Sequence, residues 1–415
     1  IWSTVMDSSY VEGAGKYDDY TGSYSLMSGT SMATPHMAGL AALVEQYVKS
    51  QHPQQDAAAS ADLTNHLLVS TAVPQQENGV YVSPRRQGAG LVNAAAAIST
   101  PAYIDVDGKL VGKLELGDDP GWSGSYDLDF RVENLGSDTL SYSMKAVLLR
   151  PDTAEQDGKT MVLASDVLIR EVDLGSVSVP AGGTQVSRTV SLTASDIAAI
   201  RDLFPNGSYV EGFVTLTQVA ADGSALTDPI DLGLPFLAFY GDWTKAPIMD
   251  STDYWETLDG SASQAQAYMN TAFSSSSENT VDTYLGDNNY TTVPYLADRN
   301  AISPNNDDFM DSLTGIYTGL LRNTKSLKYT ITGANGQVYY SKDCEYVGKS
   351  IYSYDYYRIV PAGVDAEYDG IEPWYGTDSH NAKLPNNTKA TVTIEATPVS
   401  YTHLRAPRDV EESRM

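Results

Sequence analysis

Between Met37 and Val48 the apolar residues Met37, Leu40, Ala41, Val44, Tyr47 and Val48 fall at offsets 0, 3, 4, 7, 10 and 11, the spacing of one face of an α-helix. The pattern predicts a helix that starts at Thr30 or Ser31, with Pro35 at the end of the first turn, where a missing N–H costs little. Small Ala33, Ala38 and Gly39 predict that this helix lies tightly against neighbouring strands. A second helical run carries Leu63, Leu67 and Leu68 and stops before Pro74; a third, Asn93 to Ile98, is rich in alanine and is entered through Gly88-Ala89-Gly90. Ahead of them, Ile1 to Val5 reads as a short strand, followed by turns with Gly13, Gly15 and Gly22 among tyrosines.

After Pro101 the period drops to two. Tyr126, Leu128, Phe130 and Val132 alternate with polar residues, as do Leu140, Tyr142, Met144 and Ala146. Val177 and Val179, then Val186, Val190 and Leu192, then Val210, Val214 and Leu216 continue the series, which predicts one β-sandwich over residues 101–240. Residues 241–299 hold the run Ser274 to Ser277 and Asp287-Asn288-Asn289, and read as a connecting segment. Alternation returns with Leu327, Tyr329 and Ile331, then Asn335-Gly336, a type I′ hairpin signal, and Val338. Val392, Ile394 and Ala396 close a predicted second sandwich over 300–398. Residues 399–415, with Arg405, Arg408 and Arg414 and neither period, read as a non-native tail, with a genuine flexible tail as the alternative.

Composition narrows the function classes. The 415 residues carry 26 Lys and Arg against 53 Asp and Glu, a formal net charge of −27, which opposes binding to nucleic-acid phosphates. No apolar run approaches the roughly 18 residues of a membrane-spanning helix. The single Cys344 can form no internal disulfide, and flanked by Asp343 and Glu345 its thiolate is disfavoured.

One segment demands a chemical reading: Gly29-Thr30-Ser31-Met32-Ala33-Thr34-Pro35-His36-Met37-Ala38-Gly39. A serine at the start of a helix has its N–H among the helix's unpaired donors, at the positive end of the helix dipole, where an oxyanion would be stabilised. Gly29 permits a sharp entry. This string resembles the nucleophile motif of the subtilisin-like serine proteases, the subtilases, with Ala33 where a G-x-S-x-G elbow would have its last glycine. Ser83 to Ala94 resembles the end of the catalytic domain in the cell-envelope branch, similar to lactocepins and streptococcal C5a peptidases. Leu234 to Trp243 and Ala301 to Asn305 resemble segments of the fibronectin-III-like domains that follow it there.

The resemblance implies a multidomain chain: the C-terminal end of an α/β subtilisin-like catalytic domain over 1–100, followed by two all-β fibronectin-III-like sandwiches. It implies that Ser31 is the nucleophile, that its N–H is one oxyanion donor, and that Gly29, Thr30 and Met32 border the substrate cleft. The family's catalytic Asp, catalytic His and oxyanion Asn are expected before residue 1, so the fragment alone is expected to be inactive. The implied function is endopeptidase action on extracellular proteins by a secreted or cell-surface protein of a bacterial envelope. Its partners would be protein or peptide substrates, with no nucleic acid, no membrane span and any envelope attachment outside these residues. No cofactor is required for the chemistry. Calcium at Asn305, Asp307 and Asp311 stays open, without EF-hand spacing; no metal ligand is assigned.

Local histidines do not supply the base. His36, five residues after Ser31, lies about 7.5 Å along and roughly 140° around the helix. His52 falls beyond the helix, His66 reads as a partly buried helix residue, and His380 and His403 lie in later regions. The rival reading is a non-catalytic cell-surface binding or adhesion module built of β-sandwiches.

Overall fold

The computed structural model describes residues 2–4, 24–106, 112–156, 159–249, 271–277, 280–285, 300–307, 309–353, 358–360, 362–365 and 373–399. Residues 399–415, apart from 399 itself, lie outside them. The chain divides into two compact units, one reaching to Trp243 and the other beginning at Thr244.

The first unit begins with β1 (Trp2–Thr4) paired antiparallel to β2 (Tyr24–Leu26), followed by helices α1 (Thr30–Gln51) and α2 (Ala57–Ser70). A small hairpin, β3 (Gln76–Glu77) and β4 (Val80–Tyr81), leads into the single turn α3 (Pro84–Gln87) and the short α4 (Ala94–Ser99). Polar residues mark the starts: Asp56 accepts the Ala59 N–H at 2.8 Å, Ser83 that of Arg85 at 3.0 Å, and Asn93 that of Ala96 at 3.0 Å. Val44 and Val48 of α1 pack with Leu63, Leu67 and Leu68 of α2 and Ala97 of α4, which gives the helices a small core of their own.

The β part of this unit comprises β5 (Ala102–Asp105), β6 (Leu114–Asp118), β7 (Ser125–Asn134), β8 (Leu140–Gln156), β9 (Lys159–Val179) and β10 (Thr184–Ser191). After α5 (Ala194–Leu203) come β11 (Ser208–Val219) and β12 (Leu232–Tyr240). One sheet has the order β10-β7-β5 and the other β6-β12-β11-β8-β9; all neighbours are antiparallel except β12 and β6. The inward stripe of β7 is buried as its period predicts: Tyr126, Leu128, Phe130 and Val132 join Tyr142, Met144, Val186, Val190, Val214 and Phe236 in one core. Helix α5, which period-two patterning does not reveal, closes an end of that core with Ile200. Its start carries a capping box, Thr193 bonded to the Asp196 N–H and Asp196 to the Thr193 N–H.

The 100/101 boundary is a change of secondary structure and not a break in packing. The Ser70 hydroxyl at the end of α2 accepts the Ile104 N–H of β5 at 2.9 Å, and residues 80–87 lie on the outer face of the five-stranded sheet.

The second unit contains β13 (Thr271–Ser277), β14 (Thr280–Tyr284), β15 (Gly315–Thr318), β16 (Thr324–Gly333), β17 (Val338–Glu345), β18 (Ile351–Ser353), β19 (Arg358–Val360), β20 (Ala362–Asp365) and β21 (Ala390–Pro398). They form sheets of order β14-β13-β15-β20, β17-β16-β21 and β18-β19. Leu327, Tyr329 and Ile331 are fully buried, with Val392, Ile394 and Ala396 packed against them. Two expectations change here. Strands β13 and β14 fall inside 241–299, read above as a connection. The serine run is strand because β14 supplies a backbone ladder, Ser275 opposite Thr283 and Ser277 opposite Thr280, that outweighs the weak propensity of serine. The Asn335-Gly336 hairpin is not a type I′ turn, which needs positive φ at two residues. Only Gly336 has it, at 79°, and a three-residue loop is closed by the Gly333 N–H on the Gln337 carbonyl.

Candidate active site

Ser31 is the second residue of α1, and Gly29 is its N-cap, with φ 140° and no side-chain cap. That backbone conformation is one L side chains rarely adopt, so the glycine is required by the entry to the helix. Because Gly29 holds the cap position, Ser31 is not there to cap the helix. Its N–H sits in the first turn, where the helix provides no acceptor, and points with the other free donors along the positive end of the dipole. Ser31 and Thr30 are exposed and Met32 is half-buried. The Met32 sulfur lies 3.9 Å from where a Gly29 Cβ would stand. An anion arriving at this helix start would meet backbone donors and a hydroxyl.

Pro35 is the sixth helical residue, and this corrects its expected place at the end of the first turn. In a regular helix the N–H at this position would bond the Ser31 carbonyl, so proline removes one bond of the ladder at the nucleophile candidate itself. The neighbouring side chains turn back on the same ladder. The Thr34 hydroxyl donates to the Thr30 carbonyl at 2.8 Å, and His36 Nδ1 lies 2.8 Å from the Met32 carbonyl. His36 is therefore engaged with its own helix. His52 is the C-cap residue of α1, and His66 stacks on the Tyr103 ring at 5.3 Å. His380 lies 3.4 Å from the Ser379 hydroxyl, while His403 is outside the described residues. All five histidines follow Ser31 in the chain.

The expected tight packing of Ala33, Ala38 and Gly39 is not found among the described residues. All three are exposed, and a Cβ added at Gly39 would meet nothing within 4 Å. The small side chains leave room for strands, but the described elements that touch α1 lie against its second half.

The far end of this region is tied down by a second set of contacts that sequence reading did not isolate. Arg85 of α3 forms a two-pronged pair with Glu211 of β11, with Nε to Oε1 at 2.9 Å and Nη2 to Oε1 at 2.7 Å. The Arg85 guanidinium also sits over the Tyr209 ring at 4.1 Å. Burial alone would lower the pKa of Arg85, but its bonds to and charge pairing with Glu211 outweigh this and hold it above its ordinary value. The Ser83 N–H donates to Asp166 at 2.8 Å and Arg86 to the Ala164 carbonyl at 2.9 Å, both on β9. Burial raises the Asp166 carboxyl above its usual range, against the lowering by the Ser83 bond.

The oxygens weighed for calcium are engaged in local turns. Asp311 accepts the Asn305 and Asn306 N–H groups at 2.7 and 2.8 Å, Asn305 that of Asp307 at 3.0 Å, and Asp307 that of Phe309 at 3.0 Å. Among the described residues no group of three or more His, Cys, Asp or Glu could hold a metal ion, and no helix is long and apolar enough to cross a membrane.

Comparison with known proteins finds two family matches. Residues 7–90 match the Subtilase family and residues 123–237 an Fn3-like domain. The C5a peptidase of Streptococcus pyogenes is 29% identical over 243 residues, 55% of this chain and 19% of that protein. The PII-type proteinase of Lactococcus lactis subsp. cremoris is 30% identical over 273 residues, 60% of this chain and 12% of its own length. The chain thus spans 19% or less of the length of these relatives. Among solved structures, the sporulation control protein Spo0M of Bacillus subtilis overlaps at a TM-score of 0.21 and 9% identity, covering 72% of this chain and 91% of that one. The chain resembles the cell-envelope branch of the subtilisin-like serine proteases, with a subtilase stretch followed by an Fn3-like domain.

Proposed function

We propose that this chain is part of a secreted or cell-surface serine endopeptidase of the subtilase type, with Ser31 as its nucleophile and extracellular proteins as its substrates. One observation carries the reading: Ser31 stands inside the string Gly29 to Gly39, at the second position of a 22-residue helix whose cap is taken by glycine. The residue keeps its hydroxyl exposed and its N–H in the turn where donors lack helical acceptors.

The chemistry is acyl transfer. The Ser31 oxygen attacks the peptide carbonyl carbon as its proton passes to a histidine, and the carbonyl oxygen becomes an oxyanion held by the Ser31 N–H and an asparagine side chain. Collapse breaks the C–N bond, the histidine gives its proton to the leaving amine, and water then releases the acid from Ser31. That histidine, its aspartate and the asparagine are assigned to sequence before residue 1, by the subtilisin order Asp, His, Ser. Gly29, Thr30 and Met32 would border the cleft. The chemistry needs no metal or cofactor. The second unit, with its buried Leu327, Tyr329 and Ile331, is proposed as a further fibronectin-III-like sandwich after the first.

The gene upstream of Ile1 tests the proposal. An Asp motif followed by a His motif, in the same reading frame, supports it. An upstream frame without them favours a binding module and overturns the catalytic assignment.

A further inference from the structure

Glu211 is a fully buried carboxylate on the outer face of a sheet, where alternation would leave it in water. Its neighbours on that face, Val147, Leu149 and Phe213, are buried too. The cover is the segment 80–87: Val80 and Tyr81 pack on this patch, the Tyr81 and Phe213 rings lie 5.8 Å apart, and Arg85 delivers its guanidinium to Glu211. A carboxylate under an apolar cover is costly unless a cation arrives with the cover, so the patch accepts this segment only when Arg85 is in register.

From that latch a continuous set of contacts runs to the nucleophile helix. Val73 and Leu91 exchange backbone bonds at 2.8 and 2.9 Å, which ties the chain after α2 to the chain after α3. Gly90, with φ 124°, lies so close to Val73 that a Cβ would stand 2.4 Å from the Val73 carbonyl carbon. Helices α2 and α4 then seat Val44 and Val48 of α1. Ser70 fastens the end of α2 to β5. Helix α2, which seats α1, is thus itself held by the sandwich.

We propose that the first sandwich is a positioning platform for the helix that carries Ser31, and that Arg85 and Glu211 are positioning residues that latch the two together. The functional meaning rests on the peptidase reading; the latch itself does not.

Amide hydrogen exchange on the full 415-residue chain tests it. In Glu211→Gln, exchange in residues 41–51, 57–70 and 80–87 should quicken about tenfold or more, while 126–132 and 186–190 in the sandwich core stay within about twofold. Arg85→Lys keeps the charge and loses the fork; it should show the same regional pattern with a smaller rise. Should Glu211→Gln fail to fold, Arg85→Lys carries the comparison alone. Unchanged exchange in 41–51 and 57–70, or a rise spread evenly into the sandwich core, overturns the proposal. None of these readings depends on hydrolysis, so a failed latch leaves Ser31 in its role and a failed nucleophile assignment leaves the latch in place.

Discussion

Helix α1 and strand β7 both carry regular apolar stripes, yet they are covered very differently. On β7, Leu128 and Val132 have no exposure at all, because strands on either side and a facing sheet complete the core within the same unit. On α1, Val44 is equally buried, but Met37, earlier on the same stripe, is 39% exposed. The strand's stripe is answered by residues 102–240; the helix's stripe is answered only over its second half, by α2 and α4. The half that carries Ser31 is the less covered one. An apolar and small-residue helix face needs a sheet or helices to bury it, and the proposed catalytic domain would supply that sheet.

Substitutions can sharpen this contrast. The largest loss is expected in the sandwich: Phe130→Ala should cost about 3 to 5 kcal/mol through the cavity it leaves, measured by denaturant unfolding of the full chain. Exposed Asp129, its neighbour on β7, should cost about 0.5 kcal/mol or less on change to alanine. Equal losses would show that the wrong face of β7 has been placed inside.

The helical core is smaller and less completely covered. Leu67→Ala should cost about 2 to 3 kcal/mol, near the low end for a buried leucine, and Leu43→Ala on exposed α1 about 0.5 kcal/mol or less. Should Leu43→Ala match Leu67→Ala, the assignment of Leu43 to the exposed face of α1 would break.

A third prediction concerns pH. Among the described residues the buried Tyr142 hydroxyl has no partner, and burial pushes the phenol from 10.0 up to about 12. The unfolded chain therefore ionises first. The stability held below pH 10.0 should decline as pH rises towards about 12, by up to about 2 to 3 kcal/mol for this group. Tyr126 is raised for the same main reason, with the Asp119 charge adding to it. Tyr142→Phe should be close to neutral at ordinary pH, since no hydrogen bond is lost, and should remove its share of the alkaline decline. A variant with an unaltered alkaline profile would contradict the assignment. The effect on stability at neutral pH is the smallest of the set.

These contrasts also explain what could be read from the amino acids. The stripes Tyr126 to Val132 and Leu327 to Ile331 were legible because period two is local and the facing sheets lie in the same segment. The burial of Val147, Leu149, Glu211 and Phe213 was not legible, since alternation points them outward and their cover comes from residues more than 60 positions away. Helix α5 was missed between strands, although Thr193-x-x-Asp196 was the signal for its start. Strand β13 was hidden by serines whose backbone finds its ladder in β14, where Ser275 lies opposite Thr283. The Ser31 string was legible as a motif. Its position one turn ahead of Pro35, with glycine as the cap, required the helix itself.

The central claim is that Ser31 becomes an acylating nucleophile when joined to the sequence that precedes residue 1. Labelling of that extended protein with a serine-directed fluorophosphonate, followed by peptide mass mapping, tests it most directly. The adduct should fall on Ser31 and vanish in Ser31→Ala, together with peptide hydrolysis, by a factor on the order of 10⁶ as in subtilisin when its nucleophile is lost. An adduct on another serine, or hydrolysis that survives Ser31→Ala, would contradict the account.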